Sequence, residues 1–232
     1  MPKLERPFDE ELKLLKEKLL DMASRAEEQI GLAVRGLKDR KQEMACEVLE
    51  KEEAINRLDI EIDDMAMRLL ALRQPMATDL RFITSAMKIG SDLERIGDLA
   101  VNIAERTLEL LKFPQLKPLI DIPRMAEMAQ EMVRDTLNAF INGDAVLAKQ
   151  VCERDDQVDK LNIQIFRDLL MADAATIPRA VDLILVGRHL ERIADHATNI
   201  GEDVIYMVQG KTIKHHAEEG REALRKTCAV GE

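Results

Sequence analysis

Apolar residues recur at steps of three and four along almost the whole chain. From Phe8 the stripe continues through Leu12, Leu15, Leu19, Met22, Ala26, Ile30, Ala33 and Leu37, the spacing of one helical face. It predicts a first helix over about residues 8–37, with Gly36 and Asp39 near its exit. A second covers about 42–73 and stops at Pro75, which biases Gln74 away from helix. A third covers about 78–112. Pro114, Pro118 and Pro123 then read as a stiff linker between two halves. A fourth helix spans about 124–141 and ends at Asn142-Gly143, a C-terminal signal. A fifth spans about 145–171. Thr176-Ile-Pro178 opens a sixth, which reaches about residue 209 and ends at Gly210. No alternating run of strand length carries hairpin residues at its ends. The expected fold is all-α: six long helices as two tandem antiparallel three-helix bundles. The first repeat is placed at 1–115, the second at 116–210, and a polar tail at 211–232.

The two halves share more than a pattern. The segment Asp92-Leu-Glu-Arg-Ile-Gly-Asp-Leu-Ala-Val-Asn-Ile-Ala-Glu105 returns 97 positions later as His189-Leu-Glu-Arg-Ile-Ala-Asp-His-Ala-Thr-Asn-Ile-Gly-Glu202. A repeat of this length indicates duplication. A core stripe alone would require only the apolar positions to recur, yet the carboxylates recur as well.

Those carboxylates interrupt or flank the apolar seams. On the second helix Ala45, Val48, Ile55, Ile62, Ala66 and Leu69 share their stripe with Glu52 and Asp59. The fifth helix repeats this 103 positions later, with Asp155 for Glu52 and Asn162 for Asp59. Asn56 and Asp159 lie one turn along. Beside the stripes of the third and sixth helices run Glu94, Asp98, Asn102 and Glu105, and in the copy Glu191, Asp195, Asn199 and Glu202. Spacings of four, four and three put each set on one face. Gly90, Gly97, Gly187 and Ala194 share that face and permit close approach to the backbone. Counted from the Pro75 turn, Glu52 and Glu94 lie at similar heights at ~1.5 Å per residue. Glu52, Asn56 and Asp59 are therefore expected to face Glu94 and Asp98. Asp155 and Asp159 are expected to face Glu191 and Asp195, across a turn running from Asp173 to Pro178.

Several carboxylates so close repel one another unless a cation or protonation intervenes. Oxygen ligands suit hard cations such as magnesium, manganese or oxidised iron. Asn102 and Asn199 are candidates to support the ligands from one turn away. The competing reading is that these acids lie on solvated flanks and pair with Arg95, Arg192, Arg73 or Arg81. Both stay open on the sequence.

Composition removes other classes. The 232 residues include 44 acidic and 34 basic ones, a net charge of −10, which disfavours a general grip on nucleic-acid phosphates or anionic lipid. No apolar run nears the ~18 residues of a membrane span, and the charged start lacks a secretory h-region. Cys46, Cys152 and Cys228 are odd in number and far apart, as for reduced cytoplasmic thiols. No phosphate loop, nucleophile elbow or HExxH is present. A ferritin-like oxygenase site needs Glu-x-x-His, and no histidine has Glu three residues before it. His196 and His189 are expected at the surface, and His215-His216 falls in the tail. A carboxylate-cluster metalloenzyme and a metal-free helical adaptor are both readings that these residues allow.

Arg73-Gln-Pro-Met-Ala-Thr-Asp-Leu-Arg81, with Leu93-Glu-Arg-Ile-Gly-Asp98 and Leu190-Glu-Arg-Ile-Ala-Asp195, resembles the PhoU family over about residues 8–210. The resemblance implies two three-helix bundles side by side. It also implies a non-enzymatic cytoplasmic regulator that restrains the phosphate-starvation (Pho) response. Its implied partners are the phosphate transporter ATPase PstB and the sensor histidine kinase PhoR, and a homodimer is expected. Some members carry iron clusters or other metals, zinc included, on such acidic motifs. This implies Glu94–Asp98, Glu191–Asp195 and Asp155–Asp159 as ligands here. In the first half the partner reads Glu52–Asn56, one carboxylate short unless Asp59 compensates, so the second site is expected to bind more firmly.

Overall fold

The computed structural model describes residues 7–170 and 174–211, and among them every long element is a helix. They are α1 (Pro7–Asp39), α2 (Gln42–Arg73), α3 (Ala77–Leu111), α4 (Asp121–Asn142), α5 (Ala145–Leu169) and α6 (Ile177–Gln209). A 3-10 turn, Ala174–Thr176, leads into α6. The expected tail beyond Lys211, the Asp173 end of the second turn and the Met171 end of the fifth helix lie outside the described residues.

Local chemistry accounts for most boundaries. Gly143 and Gly210 cap α4 and α6 in the left-handed region, at φ 62° and 68°, where a residue without Cβ meets no penalty. Asp144 then opens α5, accepting hydrogen bonds from the amides of Val146 and Leu147, each at 3.0 Å, as an N-cap does. Gln74 does leave the helix before Pro75, but into the left-handed region (φ 46°) and not into extended backbone. Helix α4 starts at Asp121, three residues before the expected start. Pro123 falls in its first turn, where the missing N–H would have had no intrahelical partner.

In each half three helices enclose one apolar seam, and the halves then pack together. Helix α3 lies between α2 and α6, and α6 between α3 and α5. Helix α1 packs on α2, α3 and α4, and α4 also covers α5 and α6. The first seam buries Ile30, Ile55, Ile62, Ile89, Leu93 and Ile96; the second buries Met132, Phe140, Val151, Val158, Val186 and Ile193. At ~25 cal/mol per Å² this apolar burial is the main stabilising contribution. Phe82 of α3 stacks on Phe140 of α4, with centroids 5.3 Å apart.

The α3–α6 contact is antiparallel. Arg81 Nε donates to the Met207 carbonyl (3.1 Å). Lys88 Nζ meets Asp203 (3.3 Å), His196 meets Asp92 (2.8 Å), and Arg106 meets Asp182 (3.3 Å). Helices α1 and α4 also run antiparallel: Lys16 Nζ donates to the Ile141 carbonyl (2.5 Å) and Gln130 Nε2 to that of Glu27 (3.0 Å). The proline-rich connection is held by Arg40, which donates to the carbonyls of Leu111 and Phe113, and by Arg179, which donates to that of Pro114.

Candidate metal centre

Small residues fix how the acidic helices meet. A Cβ on Gly187 would lie 3.0 Å from Asn162 Oδ1 and 3.6 Å from Ile165, so α5 sits directly on the α6 backbone. That register sets Asp155 level with Asp195, and Asp159 level with Glu191. In the first repeat Gly97 lies against Ile55, and Gly90 against Ile62 and Asp59. Glu52 is thereby level with Asp98, and Asn56 with Glu94.

The second repeat assembles four carboxylates. Burial, followed by Asp195, Asp159, Asp156 and Glu191, pushes the Asp155 carboxyl up to about 6. Its Oδ1 is enclosed and has no hydrogen-bond partner. Glu191 is also raised, first by burial; Arg188 opposes this, while Asp195 and Asp159 reinforce it. Asp195 is raised by burial and then by Asp159, against Arg188, His196 and Arg192. Arg188 forms an ion pair with Glu191.

The first repeat is partly neutralised. Arg95 reaches Glu94 Oε2 at 3.4 Å and Asp98 Oδ2 at 3.2 Å, as the ion-pair reading expects. Glu94 is still raised by burial and by Asp98 and Asp59. Asp59 is raised by burial and Asp63, with Arg95 opposing. Asp59, Glu94 and Asp98 are thus near enough to feel one another's charge, with Glu52 and Asn56 half-buried on the same α2 face. Asn102 and Asn199 are also half-buried. Of the other expected partners, Arg192 acts on Asp195 through its charge, while Arg73 pairs with Glu11 and Arg81 with the Met207 carbonyl.

Among the described residues, no three His, Cys, Asp or Glu side chains converge as a ready ligand set. The donor chemistry nevertheless fits a hard cation in the second repeat. Four oxygen-bearing side chains share one groove, and an enclosed oxygen of Asp155 lacks a partner. In the first repeat Arg95 competes for the same oxygens.

Two histidines depart from expectation. His196 is not a surface residue: it packs between α3 and α6, its side chain 17% exposed, with Nδ1 2.8 Å from Asp92. His189 is half-buried with Nδ1 enclosed and unpartnered, and burial lowers its pKa, as do Arg192 and Arg106. Sequence offered one hint, since His189 stands in the copy where Asp92 stands in the original. Arg188 was also unanticipated, although its place three residues before Glu191 is an ordinary helical pairing.

The profile of the PhoU domain matches this chain twice, over residues 19–107 and 122–204. The chain belongs to the PhoU family. A "phosphate-specific transport system accessory protein PhoU homolog" of Aquifex aeolicus is 44% identical over 213 residues, 90% of this chain and 96% of the relative. The counterpart from Pseudomonas aeruginosa is 38% identical over 216 residues, 91% of this chain and 89% of the relative. Among solved structures, PhoU from Pseudomonas aeruginosa superposes with a TM-score of 0.85 at 38% identity, covering 88% of this chain and all of that one. The phosphate transport system regulatory protein PhoU from Streptococcus pneumoniae gives 0.83 at 33% identity, covering 89% and 99%. The paired bundles are thus the PhoU arrangement. Among the described residues no helix is long and apolar enough to cross a membrane.

Proposed function

We propose that this PhoU-family chain is a non-enzymatic, cytoplasmic regulator of phosphate uptake. It couples the phosphate transporter ATPase (PstB) to a sensor histidine kinase (PhoR) and restrains the Pho regulon when phosphate is plentiful. The observation that carries this reading is its likeness, over nine-tenths of its length, to accessory proteins of the phosphate-specific transport system. In mechanism, the protein docks differently on different transporter states and so shifts the kinase between its activities, which requires differential affinity for those states.

Metal binding belongs to the same reading. Asp155, Asp159, Glu191 and Asp195 would hold one hard cation or cluster, with Glu52, Asn56, Asp59, Glu94 and Asp98 a weaker counterpart. Iron is the leading candidate by family resemblance, followed by magnesium, manganese or zinc. The cation would supply positive charge that offsets carboxylate repulsion. The four side chains would orient it while α5 and α6 limit water around Asp155. Association as a homodimer is part of the proposal, checked by light scattering on the eluting protein.

Pull-down with the ATPase and the kinase at high and low phosphate tests the regulatory role. Equal or absent binding in both conditions, with reporter repression unchanged on gene deletion, would overturn it. Phosphatase assay of the metal-loaded protein separates the regulator from a metalloenzyme.

A further inference from the structure

Exposed apolar residues lie at the ends of both long hairpins: Ile60, Met67, Leu72, Met76 and Leu80 at the first, and a longer strip at the second. Ile163 and Phe166 on α5 and Leu170 at its C-cap are 45–61% exposed, and Ile177, Val181 and Leu185 on α6 are 37–51% exposed. Steps of three and four keep each trio on one helical face. The register that sets Asp159 level with Glu191 brings Phe166 level with Ile184, so Phe166 and Leu170 stand across the α5–α6 groove from Val181 and Ile177, with Leu185 further round α6 towards α3. The groove's outer end is apolar; its inner end holds the four carboxylates. The fold does not require Phe166, Val181 and Leu185 to be apolar. At the equivalent positions of the first repeat Ile60, Met67 and Leu80 keep three places apolar, but Asp63, Thr84 and Lys88 replace Phe166, Val181 and Leu185, and the hairpin forms all the same. Scattered apolar residues on a surface are ordinary, but a contiguous strip with a polar rim marks an interaction site.

We propose that the α5–α6 groove of the second repeat is the docking site for an amphipathic helix of a partner protein, one with an apolar face for the strip and Lys or Arg at the end that meets the carboxylates. This rests on the regulator reading above. Charge selects the occupant. Arg188 pairs with Glu191 alone at the inner end, and Asp155 Oδ1 has no partner, so a basic side chain finds complementary charge there. An acidic segment, or a second copy of this chain with its net −10, would add repulsion. From Asp155 to Leu170 the groove runs about 22 Å at ~1.5 Å per residue, the length of four helical turns. A cation on these carboxylates and the helix's basic end exclude each other.

The test replaces the strip with the residues of the first repeat: Phe166→Asp, Val181→Thr and Leu185→Lys together. Full-length wild type and variant, in buffer with chelator, are titrated with the purified transporter ATPase and with the cytoplasmic part of the kinase. The expected result is at least a tenfold loss of affinity for one of them, with melting temperature and helical signal retained. Leu170→Lys, at a 61%-exposed position, gives the same readout should the triple variant melt early. Hydrogen exchange on the bound partner should protect a helix with a basic end; protection of an acidic segment overturns the proposal. Undiminished binding by both variants overturns the placement while leaving the regulator reading intact. Wild type that binds neither partner overturns both. A variant that turns a dimer into a monomer assigns the groove to a second copy and also overturns the proposal.

Discussion

Asp155→Asn is expected to stabilise the metal-free protein at neutral pH while abolishing its gain from metal. The Asp155 carboxyl is held at about 6 against an ordinary 3.8, so the folded state keeps its proton more tightly than the unfolded state does. For such a raised acid, stability is greatest below the unfolded value. It falls as pH rises through the window from about 4 to about 6, and the whole penalty stands at pH 7. At ~1.36 kcal/mol per pH unit the full step is roughly 3 kcal/mol. Four carboxylates share the repulsion, and solvent screens the more exposed of them, so removing one charge should recover about 1–2 kcal/mol. For a chain of this size that is an increase in Tm of roughly 2–8 °C. Chelator-treated wild type and variant should be melted at pH 4.5, 6, 7 and 8, then again with added manganese or iron. The gain should be about a third of its full size at pH 4.5 and level off above pH 7, and added metal should reverse the order. A variant no more stable at pH 8, or a gain of the same size at every pH, would refute the electrostatic account.

Metal retained by the protein purified without chelator should fall sharply in Glu191→Gln plus Asp195→Asn and only modestly in Glu94→Gln plus Asp98→Asn; equal losses in elemental analysis would remove the ranking of the two sites. Gln29 is fully buried with neither amide atom hydrogen-bonded, and its counterpart in the second repeat is buried Met132. Gln29→Met should therefore raise unfolding free energy by about 1–2 kcal/mol, and denaturant titration showing a loss would mean that the amide has an unseen partner. Gly97→Ala should be tolerated, because its new methyl meets the flexible end of Ile55 and the copy already carries Ala194. Gly201→Ala would press within 3.1 Å of the Ala148 carbonyl and Cys152 Sγ, and should melt lower than Gly97→Ala by an equivalent of about 1–2 kcal/mol; the opposite order would contradict the packing.

Helix α2 was legible to the residue because its signals are local: a periodic stripe, then a proline. The start of α4 was not, because a proline reads as linker whether it precedes a helix or occupies its first turn. The acidic strips were legible for the same local reason as the helices, since i, i+4 spacing fixes a face. Counting from Pro75 placed Glu52 opposite Glu94, about one turn from its actual level with Asp98. The chain does return symmetrically about Pro75: Glu52 and Asp98 each lie 23 residues from it and Glu94 only 19, so the error lay in treating a four-residue difference as the same height. Arg188 on Glu191 depends on rotamers, and His196 on Asp92 on the packing of two halves separated by a long linker. Gln29 was invisible because nothing in a helical stripe says that a glutamine within it will find no partner.

The duplication also explains how two similar halves find each other and not themselves. Under the 97-residue offset Arg106 corresponds to Asp203, and Asp182 to Ser85. The Arg106–Asp182 pair and the contacts of Asp203 with Ser85 and Lys88 are thus one contact seen twice, at opposite ends of an antiparallel crossing. Both times the cation is on α3 and the carboxylate on α6. Packing α6 on another α6 in this register would set Asp182 against Asp203, one of them nearly fully buried. Packing α3 on another α3 would leave Arg106 opposite Ser85 with no acid. Exposed ion pairs contribute little to stability, but like charges forced together at a buried contact cost more, and that difference selects partners. Both acidic grooves thereby end up in one chain. The second is acidic with a continuous apolar lip, while the first is part-neutralised by Arg95 and has Asp63, Thr84 and Lys88 among its apolar lip residues, so a duplicated scaffold carries two unequal sites.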